Sequence, residues 1–225
     1  MAVNNLAIIQ ARMGSTRFPS KVLKEVNGKS LIEILFHRLS NSKKIDKLIL
    51  ATSQNTENDL LVETIEKLGF ETFRGSENDV LDRYYKAAMH YMPQAVVRIT
   101  GDCPLIDPHL VDEVISIYEQ EKVDYVSNTN PPTYPDGLDT EIFSFETLKI
   151  AHDQAKKPFD REHVTPFIKT HHQFSRKNLT NYMDHSDERW TVDDPEDFIV
   201  IKNIINHFRP NLDFSSEDVL KLKKS

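Results

Sequence analysis

The chain alternates short, almost wholly apolar runs with longer amphipathic stretches, and few architectures satisfy that rhythm. It implies parallel strands crossed over by helices. Residues 6–10 (LAIIQ) form the first strand candidate, nearly all apolar as a strand covered on both faces must be. Ser30 with Glu33 makes a capping box that opens a helix through about residue 39. Residues 47–51 (KLILA) read as the second strand. Thr56 with Asp59 then caps a helix bearing Leu61, Ile65 and Leu68, stopped by Gly69. Residues 70–73 read as a short third strand. Val80, Leu81, Tyr84, Ala88 and Tyr91 have helical spacing, and residues 95–99 (AVVRI) make the next strand. Asp107-Pro108 is a helix start, because proline at the first helical position gives up only a hydrogen bond that was orphaned anyway. That helix carries Leu110, Val111, Val114 and Ile117, and residues 123–126 follow as a strand.

After Asn128 the rhythm changes. Pro131, Pro132, Pro135 and Gly137 make a loop of the kind that carries binding groups. Residues 140–143 read as a strand, Ser144 caps a helix, residues 174–183 look extended, and Asp194-Pro195 opens a helix through about residue 208. The expected fold is a single α/β domain over 1–225, a doubly wound and mostly parallel sheet. A region inserted at about 129–185 is expected to form a lid or a dimer arm.

Composition narrows the function. A chain of 225 residues supports one substantial α/β domain, and 39% hydrophobic with 28% charged residues fits an ordinary globule. The net charge of −7 argues against a nucleic-acid binder, since that affinity rests on neutralising phosphates with Lys and Arg. A small phosphorylated ligand needs only a few local cations and stays open. No apolar run approaches the length of about 18 residues that suggests a membrane span. The N-terminus lacks the basic flank and apolar core of a secretion signal, so a cytoplasmic protein is expected. Cys103 is the only cysteine, which rules out an internal disulfide and a cysteine-based zinc site.

The chemistry gathers where strands end. Residues 10–21 follow the first strand, on the rim where open α/β sheets bind ligands. Gly14-Ser15-Thr16 is a small, flexible stretch, flanked by Ala11 and Met13, whose N–H groups can turn inward as an anion nest. Arg12, Arg17 and Lys21 surround it. Arg forks grip phosphate oxygens bidentately, while Lys21 acts as a mobile point charge. The stretch is neither a P-loop, which ends in Gly-Lys-Ser/Thr, nor a dinucleotide fingerprint. Asp102, in Gly101-Asp102-Cys103-Pro104, follows the strand ending at Ile99 and puts a carboxylate on the same rim. Asp193 is the candidate second ligand for Mg²⁺, which takes one or two protein carboxylates plus phosphate oxygens and water. Asp194 and Asp197 read as capping and macrodipole residues, and Cys103 as packing. Thr52 and Ser53, with Arg74, Gly75 and Ser76, stand where a base or ribose edge would be read. From the residues alone they could reach such an edge, and nothing in them distinguishes one base from another.

Residues 8–23 (IIQARMGSTRFPSKVL) closely resemble the opening of the sugar cytidylyltransferases. That family includes the 3-deoxy-manno-octulosonate and acylneuraminate enzymes, and the spore-coat polysaccharide biosynthesis protein F group is the most similar. Further stretches match in order: Ala51-Thr52-Ser53, 73–83 (FRGSENDVLDR), 97–106 (VRITGDCPLI), 134–143 (YPDGLDTEIF), 160–165 (DREHVT) and 189–197 (RWTVDDPED). The resemblance implies a Rossmann-like fold of the nucleotide-diphospho-sugar transferase type, CTP as donor, Mg²⁺ on Asp102 and Asp193, and a homodimer. It implies transfer of CMP to a sugar, an ulosonic or nonulosonic acid for surface polysaccharide, with Arg12 and Lys21 on the departing pyrophosphate. Two positions depart from the pattern. Gln10 stands where the sialate and octulosonate enzymes usually have proline, and Ser20 where glycine is frequent.

The sugar side is expected at Asp136, Gly137, Asp139 and Glu141, whose carboxylates suit hydroxyls, with Arg161 or His163 for an acceptor carboxylate. Two other readings remain open. A hexose-1-phosphate nucleotidyltransferase would want extra Arg or Lys at its acceptor pocket, and residues 129–145 contain none. A non-catalytic nucleotide-binding protein would bind nucleotide without Mg²⁺-dependent turnover.

Overall fold

The computed structural model describes residues 3–222. β1 (Asn5–Gln10) leads through a long loop into a short hairpin, β2 (Glu25–Val26) and β3 (Lys29–Ser30), and then α1 (Leu31–Leu39). Next come β4 (Lys47–Ser53), α2 (Asp59–Lys67), β5 (Glu71–Gly75), α3 (Val80–Tyr91), β6 (Ala95–Thr100), α4 (Pro108–Glu121) and β7 (Tyr125–Ser127). The chain continues with β8 (Glu141–Ser144), α5 (Phe145–Gln154), α6 (Pro158–His163), α7 (Pro166–Thr170), β9 (Arg176–Asn178), α8 (Pro195–Phe208) and α9 (Ser216–Leu222). The main sheet runs β5-β4-β1-β6-β8-β7-β9. All its strands are parallel except β8, which runs against both neighbours.

β1 shows why the sheet is central. Ala7 and Ile9 face the cluster that α1 and α4 supply, while Leu6 and Ile8 face the one that α3 and α5 supply. Burial of both faces is what a near-continuous apolar run encodes. The Ser30–Glu33 capping box forms as expected, and Asp107 caps α4 at the N–H of His109. A third cluster joins Trp190, Val192 and α8 to Leu31, Leu105 and Leu138, which draws the late RWTVDD stretch across to β6.

Some boundaries differ. Thr56 lies in a 3₁₀ turn (Thr56–Asn58) and α2 begins at Asp59, because Asn58 turns its side chain to the first loop instead of capping the helix. Only Arg176–Asn178 of the stretch expected to be extended pairs as a strand. The stretch 129–185 supplies β8 and β9 to the main sheet, so this part of the chain is built into the domain. Among the described residues, no helix is long and apolar enough to cross a membrane.

Candidate active site

The loop after β1 is shaped by its own backbone. The Met13 carbonyl accepts from the N–H groups of Ser15 (2.9 Å) and Ser20 (3.1 Å), while the Met13 N–H donates to Asn58 Oδ1 (2.8 Å). The N–H groups of Gly14, Thr16 and Arg17 carry no hydrogen bond among the described residues, which is the raw material of an anion nest. Ser20 adopts φ 57°, ψ 24°, the left-handed conformation in which a glycine rests without strain. The departure at Ser20 therefore leaves the backbone path open. At Gln10 the side-chain Oε1 is buried and has no partner among the described residues.

Two backbone ties and one from a side-chain hydroxyl bring the acids to this loop. The Gly101 N–H donates to the Gln10 carbonyl (2.8 Å), and a Cβ on Gly101 would stand 2.6 Å from that of Ala11. Only glycine lets the GDCP turn press so close. The Asp102 carbonyl in turn accepts from the N–H of Val192 (2.8 Å) and from Thr191 Oγ1 (3.3 Å), which sets Asp193 beside Asp102. Lys21 Nζ then reaches both carboxylates, at 3.1 Å from Asp102 Oδ2 and 2.8 Å from Asp193 Oδ1. Burial acts to lower the Lys21 pKa, but the two carboxylates outweigh it and the net shift is upward. Burial pushes the Asp193 carboxyl up, while Lys21, Arg189 and Arg17 pull it down further, leaving it below the usual range. Arg17 contacts Asp193 (3.1 Å) and Arg12 contacts Glu77 (2.5 Å). All three loop cations thus rest on acids.

The base-reading candidates meet on the adjacent rim, with Thr52 opposite Arg74 and Ser53 opposite Gly75 in register. Thr52 Oγ1 is buried without a partner among the described residues, and Ser53 Oγ accepts from Asn58 Nδ2 (2.8 Å). Arg74 holds Asp59 (2.6 Å) and the Asn55 carbonyl (2.8 Å). Ser76 Oγ accepts the Asp79 N–H at the entrance to α3.

The residues expected on the sugar side divide. Asp136 pairs with Arg189 (3.2 Å). Gly137 has φ +109°, and a Cβ there would meet the Trp190 carbonyl carbon at 2.6 Å, so the YPDG loop is sealed against the RWTVDD segment. Asp139 is exposed to solvent. Its carboxyl is raised to about 6 by desolvation, then by Asp136 and Glu141, while Lys169 and Arg98 act the other way. Glu141 is an interior group, 2% exposed, and its oxygens are taken by Arg98, Tyr125, Thr165 and Lys169. Arg161 commits its guanidinium to Asp79 and the His152 carbonyl. His163 is exposed and packs on Phe159. No hydrogen bond or ion pair joins Arg161 or His163 to Asp136 or Asp139 among the described residues.

Residues 6–216 match the family described as Cytidylyltransferase. The chain belongs to that family. The spore coat polysaccharide biosynthesis protein SpsF of Bacillus subtilis (strain 168) is 36% identical over 225 residues, covering 96% of this chain and 92% of that protein. A solved cytidylyltransferase from Leptospira borgpetersenii superposes with a TM-score of 0.92 at 32% identity, covering 100% of this chain and 94% of the other. The fold is also that of a CMP:2-keto-3-deoxy-manno-octonic acid synthetase solved with CTP, at TM-score 0.70 and 14% identity over 91% of this chain and 99% of that one. This cytidylyltransferase is therefore a nucleotidyltransferase.

A divalent cation suits the residues present. Asp102 and Asp193 already converge on a single cation, the Lys21 ammonium, and both keep some solvent contact. Among the described residues no group of three or more His, Cys, Asp or Glu side chains is arranged to hold a metal. A two-carboxylate site completed by phosphate oxygens and water is the arrangement Mg²⁺ favours.

Three contributors were not singled out from the sequence. Asn58 ties the first loop to β4, Glu77 holds Arg12, and Arg189 spans Asp136 (3.2 Å), Asp193 (3.0 Å) and Asp197 (2.9 Å). Arg189 stood inside a matched motif, but nothing local to it named its partners.

Asp139 yields a pH test. A carboxyl raised above its unfolded value makes the folded state bind the extra proton, so its contribution to stability falls as pH rises from about 4 to about 6. Asp139→Asn is expected to raise stability at pH 7 by about 1 kcal/mol or less, because solvent screens an exposed group. It should also flatten the stability profile over that interval. Denaturant titrations across pH read both effects, and an unchanged profile would remove Asp139 as the source.

Proposed function

We propose that the protein makes a CMP-sugar from CTP with release of pyrophosphate, using an ulosonic or nonulosonic acid destined for a surface polysaccharide. The observation that carries this reading is the convergence of Asp102 and Asp193 on Lys21, beside a loop with unspent N–H groups. The name of the Bacillus subtilis relative supports the polysaccharide setting. The CTP in the octulosonate synthetase structure supports the donor. CTP is made in the cytoplasm, which is where such an enzyme would work.

In this reading a hydroxyl of the acceptor attacks the α-phosphorus in line. The new bond is P–O to the sugar, the bond to the β-phosphate oxygen breaks, and the hydroxyl proton passes to solvent. Asp102 and Asp193 would hold Mg²⁺, which when bound supplies charge neutralisation at the phosphates. Arg12, Arg17 and Lys21 exchange their acids for phosphate oxygens, and Arg12 and Lys21 stabilise the departing pyrophosphate. The loop N–H groups add fixed dipoles that need no reorganisation. Positioning and electrostatics suffice, so no strong side-chain base is required. Asp136 and Asp139 face the acceptor hydroxyls, and Glu141 acts from below by fixing the local charge.

A pyrophosphate-release screen of the four nucleoside triphosphates against ulosonic acids and sugar phosphates tests this. Turnover with CTP and an ulosonic acid is expected. Turnover with a hexose 1-phosphate alone would transfer the assignment, and nucleotide binding without turnover would make the protein a binder.

A further inference from the structure

Asp193 has two oxygens with different company. Oδ1 faces Lys21 at 2.8 Å, on the side of Asp102, while Oδ2 is held by Arg189 Nη2 (3.0 Å) and Arg17 Nη2 (3.1 Å). Lys21 and Arg17 belong to the first loop and leave their acids when a triphosphate takes them. Arg189 belongs to no phosphate-binding element. Its other contacts are fixed ones. Nε and Nη2 donate to Asp197, at 2.9 and 3.1 Å. Asp197 is itself pinned by the N–H groups of Asp193 (2.8 Å) and Asp194 (3.0 Å) at the start of α8. Nη1 reaches Asp136 of the YPDG loop at 3.2 Å. The backbone repeats this link, for the Asp136 carbonyl accepts from the Trp190 N–H and the Asp136 N–H donates to the Glu188 carbonyl.

Resting on the metal reading proposed above, we infer that Arg189 is a positioning residue: it holds Asp193 Oδ2 so that Oδ1 stays aimed at the cation, and it ties that carboxylate to the acceptor-side loop. A planar fork is needed for this. One guanidinium meets three carboxylates at fixed angles, which an ammonium on a flexible stem cannot do. Groups that orient a ligating carboxylate typically account for about 10- to 100-fold in metal affinity. Because Arg189 is nearly half exposed, its ion pairs add little to the stability of the fold.

The test measures Mn²⁺ binding by electron paramagnetic resonance on the full chain with saturating CTP, beside a thermal unfolding scan. Arg189→Gln is expected to weaken Mn²⁺ binding about tenfold or more while leaving the unfolding midpoint near that of the natural chain. Arg189→Lys is expected to recover part of the loss and not all of it. Asp193→Asn is the reference arm and should weaken binding at least as much as Arg189→Gln. If Asp193→Asn weakens Mn²⁺ binding and Arg189→Gln does not, the positioning role is overturned and the metal reading stands. If Asp193→Asn has no effect either, or the natural chain shows no CTP-dependent Mn²⁺ site, the metal reading falls and the inference with it. A lowered midpoint with unchanged Mn²⁺ affinity would make Arg189 a structural tie only.

Discussion

Asp102→Asn is expected to cut pyrophosphate release by about a thousandfold and to leave the folded state nearly as stable as before. The side chain sits on the rim, partly exposed, and its backbone does the structural work by accepting from Val192 and Thr191. An amide preserves that backbone and roughly the shape of the side chain. What it removes is one of the two carboxylates that converge on a cation. Charge neutralisation at a transferring phosphoryl group supplies several kcal/mol, and about 4 kcal/mol is a thousandfold in rate. Initial rates of pyrophosphate release, measured with the acceptor the screen identifies, check the point. Turnover within about threefold of the natural chain would sink the role given to Asp102.

The second large effect is on stability. Glu141→Gln is expected to destabilise the fold by about 3–5 kcal/mol, the usual cost of stranding a buried charge. Glu141 lies in β8, hydrogen-bonded to Tyr125 (2.5 Å), Thr165 (2.9 Å) and Lys169 (2.7 Å) and paired with Arg98. Burial pushes its carboxyl up, but Arg98 and Lys169 outweigh burial and bring it down to about 2. Lys169 has a path to water when the charge is removed. Arg98 has little, and its Nε is already buried without a partner among the described residues. A carboxyl held below its unfolded pKa contributes stability that is present above about 4.5 and lost as pH falls through about 2. The gap between the natural chain and Glu141→Gln should therefore close over that interval. Urea titrations at several pH values read it, and a gap that persisted at pH 2 would assign the loss to packing.

The alternation of apolar runs and amphipathic stretches was enough to place the strands, because a strand buried on both faces and a helix buried on one leave different periodicities. Local caps were equally legible. The Ser30–Glu33 box and Asp107-Pro108 act over three or four residues, and that chemistry lies within the stretch itself. Thr56 failed as a cap for a tertiary reason, since Asn58 spends its amide on Met13 and Ser53.

The candidate site was half legible. Residues 10–21 and Asp102 could be placed on one rim because each follows a strand, and strand ends share a rim in a parallel sheet. That Asp193 joins them, from far along the chain, rests on Val192 donating to the Asp102 carbonyl, and no spacing encodes such a bond. The cations missing from residues 129–145 arrive from elsewhere, as Arg189 on Asp136 and as Arg98 and Lys169 on Glu141. Arg161 has a charge suited to an acceptor and is spent on Asp79 instead. The sequence alone determined the layered α/β plan and the identity of the first loop, because both depend on neighbours a few residues apart. Only the tertiary structure decided which charges are paired and with what, because ion pairs form across distances in space that the order of residues does not record.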